Sequence, residues 1–183
     1  MQIAILRVGP AKIDVLESIQ ESLCDISPEV SCNILKTAMP IPEKAYNPTR
    51  QQYNSSYILF KIRDYVEGSG ADRILGVTGV DLYVPRLNFV FGEAECPGKT
   101  ATISIFRLKP EFYGQPKDWT LFVERSAKEA VHEIGHTLGM QHCRSSTCIM
   151  FFSNNIQMTD SKKLKFCEIC WPKVLQKISL FTK

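Results

Sequence analysis

The segment Gln2–Val8 (QIAILRV) is a short apolar run with β-branched residues that stops at Gly9-Pro10, and it predicts a first β-strand. Ile13, Leu16, Ile19 and Leu23 then recur three and four apart, the spacing of one helical face, before Pro28. A second strand is expected over 32–37, ahead of the Pro-Ile-Pro at 40–42. Asn47-Pro48 has the chemistry of an N-cap followed by a first helical residue. Ile58, Ile62, Tyr65 and Val66 would be the buried face of that helix, which Gly68 and Gly70 would close. Three apolar runs follow at 74–83, 88–93 and 102–108, separated by Pro85 and by Cys96-Pro97-Gly98. From about 119 to 138 the helical period returns, with Ala127, Val131, Ile134 and Leu138 on one face. The order βαβαβββ and then a helix is that of an α/β layer with a mixed sheet.

At 183 residues the chain fits one domain, with or without a small subdomain, and buries a core without disulfides. A hydrophobic content of 44% with 22% charged residues is ordinary, and a net charge of +3 demands neither nucleic acid nor membrane as partner. The first ten residues hold one basic residue and no cleavage signal, and no apolar run approaches the ~18 residues of a membrane span. A cytoplasmic protein is expected. Seven cysteines is an odd count, so at least one is unpaired under any disulfide scheme. Cys24, Cys32 and Cys96 are scattered and read as small buried hydrophobes.

All three histidines lie in VHEIGHTLGMQHC, residues 131–143. His132 and His136, four apart on a helix, stack on one side and can close on a single zinc. Glu133, adjacent to the first ligand, lies near the metal without binding it, where it can take a proton from water. Gly139 tolerates the left-handed conformation that ends a helix, which would let the chain turn and bring His142 back to the metal. Three imidazoles leave zinc one open position, the mark of a catalytic site.

Cys143, Cys148, Cys167 and Cys170 form the pattern C-x4-C and C-x2-C. Four thiolates close a tetrahedron, so a zinc there would be structural and would staple the turn carrying His142 to the C-terminal helix. Disulfides between the same cysteines are the alternative, disfavoured by the cytoplasmic reading. The lysines of the tail could accompany a nucleic-acid-binding zinc. Glu168, Ile169, Trp171 and Leu175 suggest a packed helix face instead, and no nucleic acid is expected.

H-E-x-x-H-x-x-G-x-x-H resembles the zinc signature of the metzincin clan, which also places a methionine in a tight turn beneath the metal. Met150 is the candidate. With Cys143 directly after the last histidine, C-x4-C-x-M and then C-x-x-C, the chain resembles the archaemetzincins. The stretch VDLYVPRLNFVFGEAE is also similar to theirs. That resemblance implies a zinc metallopeptidase of aminopeptidase-like preference with two zinc ions per chain. It also implies an α/β, metzincin-like fold: a mixed, mostly parallel five-stranded sheet with helices, residues 1–139, over a zinc-stapled C-terminal subdomain, residues 140–183. The substrate peptide would lie along the fourth strand, near 88–93. In the clan the segment after the turn methionine walls the pocket for the side chain that follows the scissile bond. Phe151 and Phe152 therefore imply an apolar preference there. Phe152 also stands where some metzincins carry a tyrosine ligand, which is unavailable from this position. The rival reading is a non-catalytic peptide- or partner-binding protein that keeps the zinc scaffold; an intact Glu133 argues against it.

Overall fold

The period-two alternation of the first strand divides the core. Ile3 and Ile5 point to one side of the sheet and Ala4, Leu6 and Val8 to the other, all buried. The computed structural model describes residues 1–66 and 68–181. Its elements are β1 (Gln2–Val8), α1 (Ile13–Cys24), β2 (Ser31–Met39), β3 (Tyr46–Asn47), β4 (Gln52–Asn54), α2 (Ser55–Tyr65) and β5 (Arg73–Thr78). They continue as β6 (Leu82–Tyr83), β7 (Gly92–Ala94), β8 (Thr100–Ser104), α3 (Trp119–Thr137), α4 (Ile156–Ser161) and α5 (Trp171–Ile178). The main sheet has five strands in the order β2-β1-β5-β8-β7, parallel throughout except for β7, which pairs antiparallel with β8 at the edge. This is the mixed, mostly parallel α/β sheet expected.

One face of the sheet is covered by α1 and α3, through Val15, Leu16, Ile19 and Leu23 on α1 and Ala130, Val131 and Ile134 on α3. The other face is covered by α2, whose Ile58 and Ile62 pack on Ala4, Leu6 and Ile74. Each valine, leucine or isoleucine among them contributes roughly 1.5–3 kcal/mol by leaving water. The first core continues past residue 139 into Ile149, Met150, Ile156, Val174 and Ile178, so the C-terminal segment shares apolar packing with the sheet.

Several expectations are corrected. The cap of α2 is Asn54, whose Oδ1 accepts from Tyr57 N at 2.9 Å, and not Asn47. Asn47 Oδ1 instead accepts from Arg50 N at 3.1 Å, in the turn between β3 and β4 of a second sheet, β3-β4-β6. Tyr65 is 45% exposed; Val66 is buried as expected. The run 88–93 forms regular strand only from Gly92. Arg50 and Gln52 side chains occupy the carbonyls of Leu87 and Asn88, so these are unavailable to a ladder. On the tail, Ile169 is 72% exposed, and the packed face of α5 is Val174 and Ile178. Thr182 and Lys183, the end of that tail, lie outside the described residues. Cys96 is exposed, and Cys24 and Cys32 are only half-buried. Among the described residues no helix is long and apolar enough to cross a membrane.

Candidate active site and metal centres

Helix α3 begins where Asp118 Oδ1 accepts from Leu121 N at 2.9 Å, and it runs beneath the edge of the sheet. Its last two turns carry His132, Glu133 and His136. Gly139, at φ 85°, ends it in the left-handed conformation, as the motif predicts. The chain then turns, and His142 comes back over the helix.

The three imidazoles converge. His136 Nε2 lies 3.1 Å from His132 Nε2 and 3.2 Å from His142 Nε2. Nitrogens held tetrahedrally at 2.0–2.1 Å from one zinc would be about 3.3–3.4 Å apart. His132 Nδ1 faces Ile149 O and His136 Nδ1 faces Met140 O, both at 2.7 Å, so each Nδ1 carries the hydrogen and donates it. That leaves the Nε2 lone pairs pointed at one another, an arrangement that a cation between them resolves. Burial lowers the pKa of His132 well below the ordinary imidazole value, with Lys162 and His136 acting in the same direction. His136 and His142 are lowered by burial too. All three are therefore held in the neutral, ligating form.

Glu133 is 6% exposed, and burial raises its carboxyl well above the usual range. Glu129 and Glu93 push it further up and Lys162 opposes them. A carboxyl so placed can hold a proton and give it back. It sits directly under the edge strand. A Cβ on Gly92 would fall 2.6 Å from Glu133 Cγ and 2.7 Å from its Oε1. Gly92→Ala is thus expected to displace Glu133 and lower activity roughly 10–100-fold with fold and metal content unchanged, since a misplacement of about 1 Å costs that much. Steady-state hydrolysis beside a metal assay checks it.

Met150 is fully buried, and a Cβ on Gly135 would lie 2.5 Å from its Sδ. The thioether therefore packs against the backbone of α3 between the two helical histidines. Its carbonyl accepts from Cys143 N at 2.8 Å, joining the methionine turn to the segment after His142. Phe152 stands 4.8 Å from His142, ring to ring, and lines the cleft; Phe151 is half-buried and set back from the lining. The cleft holds about 660 Å³ between β7 and α3. Exposed Cys96 lies on its rim, where Gln141 Nε2 donates to its Sγ at 3.2 Å.

The four predicted cysteines also converge, and none forms a disulfide. Cys143 Sγ and Cys167 Sγ are 3.8 Å apart, the separation of about 3.8 Å that tetrahedral bonds of 2.3 Å to zinc produce. Cys170 N and Trp171 N both donate to Cys167 O, at 3.0 and 2.9 Å, forming the knuckle that starts α5. Burial pushes Cys167 up, but N–H groups of Cys170 and Ile169 and the neighbouring thiols outweigh it and bring it to about 7. Burial and thiol hydrogen bonds raise Cys148 and Cys170 instead. Both residue sets thus have donors and spacing that fit zinc, one with an open side to the cleft and one closed.

Other residues at this site carry no motif. Glu129 lies one helical turn before Glu133 and lines the cleft. It accepts from Lys162 Nζ at 3.0 Å and Thr159 Oγ1 at 3.1 Å, both buried. Arg125 pairs with Asp160 through two hydrogen bonds of 2.6 and 2.7 Å. Charges spaced by a turn on α3 were the available signal, and they look like a solvated face until α4 covers them.

Peptidase family M54 matches residues 2–177. The archaemetzincin of Methanocaldococcus jannaschii is 43% identical over 180 residues, 95% of this chain and 93% of that one. The crystal structure of the archaemetzincin of Methanopyrus kandleri superposes with a TM-score of 0.84 at 33% identity, covering 98% of this chain and 96% of that one. A zinc-dependent peptidase from Methanocorpusculum labreanum superposes with a TM-score of 0.83 at 29% identity, over 94% and 99% of the two chains.

Proposed function

This chain belongs to peptidase family M54, the archaemetzincins, zinc metallopeptidases with sites for two zinc ions, and we propose the role of each site residue on that premise. His132, His136 and His142 would hold the catalytic zinc, Glu133 would carry the proton, Met150 would floor the site, and Cys143, Cys148, Cys167 and Cys170 would hold the structural zinc. The observation that carries this reading is the convergence of three neutral imidazoles beside a buried carboxyl in an open cleft.

Zinc held there by His132, His136 and His142 would supply Lewis acidity toward a substrate carbonyl and toward water. Glu133 takes a proton from the attacking water and returns it to the leaving amine, which its raised pKa permits. The substrate adds as a strand along β7, whose outer edge is unpaired in the main sheet among the described residues. Ile149 O and Met140 O keep two imidazoles in the ligating tautomer throughout. A protein that only bound peptides would have no use for a carboxyl buried at such cost.

Residues 1–139 form the sheet subdomain and 140–183 the zinc-stapled one. We place the protein in the cytoplasm, supported by seven free cysteines, four of them gathered as metal ligands.

A peptide library offered to zinc-loaded protein tests the reading. Cleavage that a chelator abolishes and added zinc restores is expected. Cleavage indifferent to the chelator would contradict it.

A further inference from the structure

Strand β2 is the outer edge of the main sheet and is poorly covered, with Met39 alone of its nine residues buried. Its pairing with β1 slips between Ile5 and Arg7. Helix α1 packs directly on this strand. The contact is made near the start of β2, where Gln20 Nε2 donates to Cys32 O at 2.8 Å.

Gln20 and Cys24 are four apart on α1 and so stack on one side of the helix. Cys24, the last residue of α1, therefore stands over Cys32, which sits opposite Ile3 and packs against the core beneath α1. The two thiols are in hydrogen-bonding contact with each other. Burial pushes the Cys32 thiol up, and the neighbouring Cys24 pushes it further. Both are half-buried free thiols, and neither is one of the four cysteines gathered as metal ligands.

We propose that Cys24 and Cys32 are a reversible oxidation site, which exchange with a small-molecule disulfide joins into a clamp between α1 and the edge strand. The Cys24 thiol loses its proton and attacks one sulfur of glutathione disulfide, whose S–S bond breaks. One glutathione leaves as the thiol. Cys32 then gives up its proton and attacks Cys24 Sγ, and the second glutathione leaves as the thiol. Two protein thiols are oxidised and two glutathione sulfurs are reduced. Cys32 closes the bond rather than opening the exchange, because a thiol pushed up ionises late. A reducing cytoplasm keeps the pair as thiols, and the clamp forms when that thiol pool is oxidised. A bond across residues 24–32 removes chain entropy from the unfolded state, so the oxidised form is the more stable one.

The test incubates zinc-loaded protein with glutathione disulfide, alkylates the remaining thiols and maps the peptides by mass spectrometry. A peptide linking Cys24 to Cys32 is expected, with unchanged zinc content and a Tm higher by roughly 5–10 °C. A phosphine reductant should reverse both the link and the rise. Cys24→Ser and Cys32→Ser are each expected to show no rise after the same treatment. Should either variant fail to fold, the wild-type map and its Tm decide alone. Glutathione on exposed Cys96 with Cys24 and Cys32 left as thiols overturns the proposal, as does glutathione held on either of the pair without the link. A linked peptide with an unchanged Tm overturns the clamp.

Discussion

Glu133→Ala is expected to keep both zinc ions and the fold and to lose hydrolysis by roughly 10²–10⁴-fold, the usual contribution of a positioned proton carrier. The imidazoles do not depend on this carboxyl. His132 and His136 are oriented by Ile149 O and Met140 O, and Glu133 is hydrogen-bonded to neither. Its burial disfavours the ionised form, so its removal relieves a cost and the variant should melt no lower than the wild type. Hydrolysis, zinc content and thermal unfolding measured together separate loss of chemistry from loss of site. Turnover at the wild-type rate would remove Glu133 from the mechanism.

Cys170→Ser is the second large effect, and it runs the other way. Cys170 is 6% exposed and opens α5, with its N–H on Cys167 O. Loss of one of four thiolates opens a closed site whose zinc affinity is folding free energy. Apparent values for such sites are about 10–16 kcal/mol, as large as the whole stability of an ordinary domain. Even a loss of ~3 kcal/mol lowers Tm by roughly 6–12 °C in a chain of this size. Activity should fall with it, because Cys143 follows His142 directly and its N–H is bonded to Met150 O. Metal analysis should find one zinc where the wild type has two. An unchanged melting temperature would contradict a structural role for the four cysteines.

The difference between what was legible in the sequence and what was not is a matter of range. His132, Glu133 and His136 are fixed relative to one another by a helix, and Gly139 announces the turn that returns His142, so the site could be read from spacing alone. Strand β1 and helices α1 and α3 were legible because their buried faces follow one period each. Asn47-Pro48 and Asn54-Ser55 offer similar cap chemistry, and only the pairing of β3 with β4 decides that the helix starts at the second. Helix α4 is too short for a period to show. The pair Glu129–Lys162 joins residues 33 apart, and such a pairing leaves no local trace. Charged residues are read as solvated by default, so Arg125, Lys128, Glu129 and Lys162 all escaped notice although each is no more than 3% exposed.

The chain carries two zinc sites of different kind, a three-histidine site open to the cleft and a closed four-cysteine site. Metal analysis through a brief chelation tests it most directly. Purified protein should hold two zinc ions per chain. The three-histidine site opens to the cleft through the exposed His142, so the chelator should take its metal first, abolishing hydrolysis while one zinc and the folded state remain. Added zinc should then restore activity. One zinc per fully active chain, with free thiols at Cys143, Cys148, Cys167 and Cys170, would contradict it.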